Sequence, residues 1–179
     1  MEVYEMEHLQ QTLVDWYNSS LGSFMPKELF VFFVSMLPLI ELRGGVLIAS
    51  MLDIPIVEAN IICIIGNLLP IPFILILIKK IFKFMKDHNI MKGLVEKLEA
   101  RAESKAGGLA EKGEFIFLLL FVGIPIPGTG AWTGSLIASL MEFDLKKAMG
   151  AIFLGLLLAT AIMDIVSYGA LEAILNMVG

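Results

Sequence analysis

The sequence predicts an all-α integral membrane protein with two inverted-topology repeats, each a re-entrant helical hairpin followed by a full transmembrane helix. Hydrophobic residues make up 58% of the chain and the mean hydropathy is +0.84, more than a soluble domain needs. The chain also repeats itself at an offset of 89 residues, which takes Pro38 to Pro127 and Gly45 to Gly134 without a gap. The tetrapeptide Leu-Ile-Ala-Ser recurs at the same offset, at 47–50 and 136–139. An internal duplication explains this agreement better than chance.

The distribution of basic residues predicts the orientation in the membrane. Nine of the 13 Lys and Arg lie in the loop 79–114, residues 1–26 contain none, and nothing after Lys147 is basic. By the positive-inside rule, the loop is cytoplasmic and both termini lie on the outer side of a multi-pass protein of the cell membrane. The net charge of -5 argues against a nucleic-acid partner.

Residue types that support metal or covalent chemistry are scarce. The chain has one cysteine, Cys63, and two histidines, His8 and His88, which are far apart in sequence. We therefore expect no metal site, no cofactor and no catalytic residue. An intramembrane hydrolase would need a nucleophile and a base, and no His or Cys lies near the predicted turns.

The N-terminal segment, 1–24, is predicted to be an amphipathic helix on the outer membrane surface. Its apolar residues are close to helical spacing, and acidic and amide residues separate them. Trp16 and Tyr17 would lie at the depth of the lipid headgroups. The acidic N-terminus has the wrong sign for a secretory signal.

The first repeat, 25–78, begins with an apolar run that is too short to span a bilayer. The run 29–40 has twelve residues, whereas a span needs about 20. Glu41 and Arg43 interrupt it, and Gly44-Gly45 follow. A single helix with a central ion pair is one alternative. We favour a re-entrant hairpin over 28–53 with its turn near 41–45, because a glycine pair disfavours a continuous helix.

A full transmembrane helix is predicted over 55–78, ending at Lys79-Lys80. Pro70 and Pro72 should kink or unwind its inner third. Asn67 lies near mid-depth, either as an interhelix hydrogen-bond anchor or as a substrate contact.

The cytoplasmic linker 79–114 has a helical pattern of apolar residues from Met91 to Ala102. The second repeat, 115–179, then mirrors the first. Its hairpin, 115–143, contains a segment from Gly123 to Gly130 that is too rich in proline and glycine to be helical. Its transmembrane helix, 147–169, contains Asp164, which either lines an exit path or reaches the membrane interface.

Antiparallel repeats would bring the two hairpin turns together near the bilayer centre, where transporters of this design bind substrate. A charge there is costly, so it needs a partner or a function. Burial would raise the proton affinity of Glu41, so that it could carry a coupling proton, and Arg43 could bind a phosphate or carboxylate. Alternatively, the two residues form an ion pair that only locks the turns together. The candidate substrate and ion site comprises Glu41, Arg43, Gly44, Gly45, Asn67, Pro127, Gly128, Thr129, Gly130, Trp132, Thr133 and Asp164.

Two motifs resemble those of a known family, the putative small multidrug export proteins. The first hairpin contains Glu41-Leu-Arg-Gly-Gly45, and the second contains Pro125-Ile-Pro-Gly-Thr-Gly-Ala-Trp-Thr-Gly134. That family resembles a branch of the DedA superfamily, which includes the VTT and SNARE-associated Golgi proteins. The resemblance implies facing re-entrant hairpins and ion-coupled movement of lipids or lipid-linked phosphates. DedA members typically carry arginines in the second hairpin, whereas 121–134 has none here.

Three functions remain open from the sequence. The first is translocation of a lipid or lipid-linked phosphate, coupled to a proton or sodium ion. The second is export of small amphipathic cations, with Glu41 as counter-ion and Arg43 dispensable. The third is a non-transporting membrane scaffold. The expected partners are membrane lipids and a coupling ion, and the small-residue face Gly150–Ala159 would allow a homo-oligomer.

Overall fold

A computed structural model describes residues 2–22, 24–88, 93, 95–97, 100, 113–126 and 128–169. These residues form helices joined by turns, without a strand among them. The predicted linker helix and Pro127 fall largely or wholly outside the described residues. The helices in chain order are α1 Glu2–Trp16, α2 Lys27–Ser35, α3 Glu41–Met51, α4 Ile56–Leu68, α5 Ile71–Asp87, α6 Glu114–Gly123, α7 Ala131–Leu140 and α8 Leu145–Ser167.

Two segments of the described residues are long and apolar enough to cross a membrane. They are Ile56–Ile78, with a mean hydropathy of 2.7, and Leu145–Ser167, with 2.2. The first contains a two-residue interruption at Leu69 and Pro70, between α4 and α5. Helix α5 continues through the lysines at 79 and 80, because lysine is a good helix former and does not end a helix.

The first hairpin consists of α2 and α3, which run antiparallel. Lys27 Nζ at the start of α2 donates to the carbonyls of Leu52 and Asp53, just after α3, each at 2.8 Å. The start of α2 therefore lies beside the end of α3.

The turn of the first hairpin lies at 36–40, not at 41–45 as predicted from the sequence. Gly44 and Gly45 are inside α3. They serve close packing, because a Cβ on Gly45 would lie 3.0 Å from Cys63 Sγ and would overlap Ser35 Oγ. Helix α3 can therefore approach α2 and α4 more closely than any side chain would allow.

The second hairpin consists of α6 and α7. The non-helical segment predicted from Gly123 to Gly130 is confirmed at 124–126 and 128–130, whereas Gly123 is the last residue of α6. The ring of Phe117, in the first turn of α6, lies 6.5 Å from that of Phe143, which follows α7. A Cβ on Gly134 would lie 2.9 Å from Val122 Cγ2. These contacts make the two arms antiparallel.

The local backbone conformation recurs at the offset of 89 residues. Both apolar spans begin and end at positions related by this offset. Asp53 and Glu142, which match at the same offset, both have positive φ angles, 51° and 61°. The hydrogen bond from Ile54 N to Ala49 O (3.0 Å) has its counterpart from Phe143 N to Ala138 O (2.9 Å). The repeat found in the sequence is therefore also a repeat of backbone conformation.

The packing of the helices follows the same correspondence. Helix α3 packs against α8, and α7 packs against α5, so each hairpin contacts the long apolar segment of the other half. Within the halves, backbones approach closely at matched glycines. A Cβ on Gly66 would lie 2.7 Å from Phe32 O, and one on Gly155 would lie 2.9 Å from Leu119 O.

Helix α1 packs against the first hairpin. The Tyr17 hydroxyl, beyond the end of α1, donates to Met25 O at 2.8 Å, and its ring stacks on Phe30 at 4.8 Å. Gln10 is buried, and its amide nitrogen lies 3.3 Å from the position that a Cβ on Gly44 would take. Tyr17, which was predicted to lie at the depth of the lipid headgroups, is thus buried against α2, and α1 contacts α3 close to the candidate site.

Candidate functional site

Glu41 reaches from the first hairpin into the second. It is the first residue of α3, its φ is 53°, and it is 6% exposed. Its two carboxylate oxygens accept hydrogen bonds from Ala131 N at 3.1 Å and from Trp132 N at 3.2 Å. A positive φ at a residue other than glycine costs of the order of 1–3 kcal/mol and persists only where its surroundings enforce it. The carboxylate is thus held at the start of α7.

Gly130 makes room for that carboxylate. Its φ is 128°, and a Cβ there would overlap Glu41 Oε2 and lie 2.7 Å from Glu41 Cδ. Gly130 is also the position that matches Glu41 at the offset of 89 residues. The two hairpins therefore meet at equivalent positions of the repeat.

Arg43 also reaches the second hairpin, at its loop. Nη1 donates to Ile126 O at 2.6 Å, and Nη2 donates to Ile124 O at 3.0 Å and to Thr129 Oγ1 at 2.9 Å. A longer contact of 3.4 Å joins Nη2 to Val122 O. The guanidinium donates from two nitrogens in a fixed plane, so it can bind carbonyls at separate positions of one loop.

The two charges complement the two helix ends that face each other across the loop of the second hairpin. The N-terminus of α7 carries free N–H groups and a partial positive charge, and Glu41 binds there. The C-terminus of α6 carries free carbonyls and a partial negative charge. Arg43 binds the loop that follows it, and its longest contact, at 3.4 Å, reaches Val122 O in the last turn of α6. Glu41 and Arg43 therefore make two separate contacts, through which the first hairpin holds the second, instead of the mutual ion pair that was the alternative from the sequence.

Thr129 and Trp132 complete this contact. The Thr129 hydroxyl donates to Ile126 O at 2.7 Å, which closes the loop, and accepts from Arg43. The indole Nε1 of Trp132 donates to Met36 O at 3.1 Å, at the turn of the first hairpin. Thr133 is half-buried in the first turn of α7. We call the contact between the two hairpins, from Met36 to Arg43 and from Ile124 to Trp132, the tip contact.

The remaining predicted residues divide between the tip contact and other places. Gly128 has a φ of 75° in the loop of the second hairpin, where glycine is favoured. Asn67 is fully buried in the last turn of α4, and neither atom of its amide has a hydrogen-bond partner among the described residues. It does not form the predicted interhelix hydrogen bond there. Asp164, in the last turns of α8, accepts from Asn60 Nδ2 at 2.8 Å.

Several groups at these contacts were not predicted from the sequence. The carbonyls of Met36, Ile124 and Ile126 bind the tip residues, and backbone groups have no signature in a sequence. Asn60 shares a helix face with Asn67, but its partner Asp164 lies 104 residues away. The sequence signal that could have paired Asn60 with Asp164 is that each is a polar residue inside an apolar span.

A protein-family model described as "Putative small multi-drug export protein" matches residues 41–162, from the start of α3 to near the end of α8. No curated protein and no solved structure matches the chain. The matched region spans well over half of the 179 residues and contains both motifs that suggested the family. The chain belongs to the putative small multi-drug export protein family.

Proposed function

We propose that the protein is a membrane transporter whose substrate site opens at the tip contact, between two re-entrant hairpins of an inverted duplication. Membership of an export-protein family and two apolar segments of spanning length support a membrane transporter. The reciprocal packing, α3 on α8 and α7 on α5, supports a two-fold relation between the halves, because such a relation exchanges the two contacts.

The lengths of the hairpin arms support the depth of the site. The arms have 9 to 11 residues. At 1.5 Å per residue they are about 15 Å long, half of the roughly 30 Å hydrocarbon core. Two hairpins that enter from opposite sides would meet at mid-depth.

The N–H groups at the start of α7 support an anionic substrate group, such as a lipid phosphate. Helix N-termini bind anions, and half-helices in transporters direct them at anionic substrates. In the structure the Glu41 carboxylate takes that place. Protonation of Glu41 would weaken its hold on Ala131 N and Trp132 N, so that a phosphate could replace it. Opening of the tips would then also expose Arg43 to the substrate, and the proton would be the coupling ion.

Export of small amphipathic cations is the second candidate, and the family description, which names multi-drug export, supports an exporter. Once the Glu41 carboxylate has left the N-terminus of α7, it would pair with the cation. Arg43 would then only hold the loop of the second hairpin.

The structure also changes how the scaffold hypothesis must be tested. Glu41 and Arg43 both bind the second hairpin, so replacing them removes structural contacts as well as site charges. Each variant therefore needs a measurement of folding beside the measurement of transport.

The experiment uses purified protein in liposomes with an imposed pH gradient. It follows a labelled lipid phosphate and, separately, a fluorescent organic cation, in wild type, Glu41→Gln and Arg43→Lys. Glu58→Gln is the matched control, because it removes one charge from an exposed position in α4. Thermal unfolding and gel filtration report the folding of every variant.

We expect gradient-driven movement of the lipid phosphate in wild type and Glu58→Gln, and a loss of at least tenfold in well-folded Glu41→Gln and Arg43→Lys. Cation movement that is lost with Glu41→Gln and kept with Arg43→Lys would favour export. Well-folded wild type that moves neither probe would contradict the transport proposal and favour a scaffold.

A further inference from the structure

Three buried oxygen atoms without a hydrogen-bond partner among the described residues belong to α4 and the end of α8, away from the tip contact. Asn60 Nδ2 donates to Asp164 Oδ2 at 2.8 Å. The other oxygens of this pair, Asn60 Oδ1 and Asp164 Oδ1, are out of reach of solvent and have no hydrogen-bond partner among the described residues. The same holds for Ser167 Oγ, which lies three residues beyond Asp164 on the same face of α8.

All three free atoms can accept from a donor or bind a cation, and one of them belongs to a carboxylate. Buried polar atoms without a partner are rare, and a bound water or ion commonly accounts for them. A single proton on Asp164 would satisfy at most one further acceptor. A cation takes several oxygen ligands at once, so it can satisfy more of these atoms than a proton can.

The surroundings supply no positive charge from the described part of the protein. The last turn of α8 contains no basic residue, and the sequence has none after Lys147. The nearby Tyr168 hydroxyl donates to Ile54 O at 3.0 Å, and Lys27 donates to the carbonyls of Leu52 and Asp53. The end of α8 adds free carbonyls and a partial negative charge, which favour a cation.

The ligand set selects the class of cation. Carboxylate, amide and hydroxyl oxygens are ligands of hard cations. One carboxylate balances one positive charge, whereas a divalent ion would leave a charge uncompensated in an apolar protein. The described residues contain no group of three His, Cys, Asp or Glu side chains that would hold a transition metal.

We propose that Asn60, Asp164 and Ser167 form a binding site for a monovalent alkali cation, and Na⁺ is the probe that tests it. The site is separate from the tip contact, and its occupation would tie α8 to α4. It does not depend on the proposed transport function, because it can be tested by binding alone.

The test measures the thermal unfolding of the purified full-length protein in detergent while NaCl replaces choline chloride at constant ionic strength. A ligand that binds only the folded state raises Tm with its concentration until other processes limit it. We expect saturating Na⁺ to raise Tm by about 3–6 °C in wild type, and Tm to keep rising with the logarithm of the Na⁺ concentration once the site is filled. Equilibrium binding of ²²Na⁺ gives the stoichiometry, which should be one per chain.

Two variants and one control make the test specific. Asp164→Asn should abolish the Na⁺ response, and Ser167→Ala should raise the dissociation constant for ²²Na⁺ at least tenfold. Ser167→Ala should leave Tm in choline unchanged, because the hydroxyl that it removes has no partner among the described residues. Glu58→Gln, with the same loss of charge as Asp164→Asn, should respond like wild type.

Equal responses to Na⁺ and K⁺ that both require Asp164 would still support an alkali-cation site. A Tm that is the same in Na⁺ and choline, or a Na⁺ response that is unchanged in both Asp164→Asn and Ser167→Ala, would overturn the proposal. A Tm that changes with pH but not with Na⁺ would overturn it too, since a proton would then occupy the site.

Discussion

Replacing Gly130 by alanine should disrupt the tip contact. The φ of 128° and ψ of -176° at Gly130 lie in a region that only glycine adopts readily, so alanine adds about 1–3 kcal/mol of backbone strain. The new Cβ would also overlap the Glu41 carboxylate. If the carboxylate moves away, its two hydrogen bonds are lost, and bonds to a charged group contribute about 1.5–3 kcal/mol each. The sum is about 4–9 kcal/mol if the carboxylate leaves completely.

Partial relaxation will keep some of these contacts, so we expect a loss of about 3–5 kcal/mol. For a chain of this length 1 kcal/mol corresponds to about 2–4 °C in Tm, which gives a fall of roughly 6–20 °C. The assay is thermal unfolding followed by tryptophan fluorescence, because Trp132 is one of only two tryptophans and lies at the contact. Gly150→Ala is the control, since its Cβ would meet only Phe115 Cε2 at 3.6 Å.

The effects of changing Gly130 and Glu41 should be coupled. In a Glu41→Ala background the collision is absent, so Gly130→Ala should cost only the backbone strain, about 1–3 kcal/mol. A Tm of Gly130→Ala within about 2 °C of that of Gly150→Ala would refute the close approach of the hairpins. A full penalty in the Glu41→Ala background would show that the collision is not with Glu41.

Three further changes test other parts of the structure. Gly66→Ala and Gly155→Ala should each lower Tm by several degrees, because each new Cβ would lie less than 3.0 Å from a backbone carbonyl of the neighbouring helix. Equal Tm values in wild type and these variants would contradict the matched packing. Trp132→Phe should cost about 1 kcal/mol, or roughly 2–4 °C, through loss of the bond to Met36 O, and no change would count against that bond. Cys63 should react with a maleimide only after unfolding, since it is fully buried, and rapid labelling of the native protein would be inconsistent with that burial.

Much of the fold could be predicted because duplication leaves a direct record in the sequence. The offset that aligns Pro38 with Pro127 also aligns the two positive-φ residues Asp53 and Glu142 and the ends of both apolar spans. The short apolar runs indicated hairpins, and antiparallel arms are present in both halves. Insertion of the hairpins from opposite sides of the membrane stays a prediction.

The position of the first turn could not be predicted from composition. A glycine pair can serve a chain reversal or close helix packing, and the two uses look alike in one sequence. Gly44 and Gly45 serve packing, because neighbouring side chains, such as Ser35 and Cys63 beside Gly45, leave no space for a Cβ. Which use applies depends on the residues that pack against the glycines in the fold, and the local sequence does not show those residues.

The partners of the site charges were also beyond the sequence. Glu41 and Arg43 were identified as site residues, and an ion pair between them was one alternative. Their partners are mainly backbone N–H and carbonyl groups of the second hairpin, which nearly every residue possesses. Only the three-dimensional arrangement of the broken helix decides which of these groups are free to bind a charge.

If substrate passes where the two hairpin tips meet, as we claim, a reducible cross-link between the tips should block its passage. In a Cys63→Ala background, Met36→Cys and Trp132→Cys would be joined by a short, reducible bifunctional thiol reagent, since these residues are in contact in the structure. Transport in liposomes would be measured before cross-linking, after it, and after reduction. We predict that cross-linking stops movement of the transported probe and that reduction restores it. Undiminished transport by fully cross-linked protein would contradict the claim.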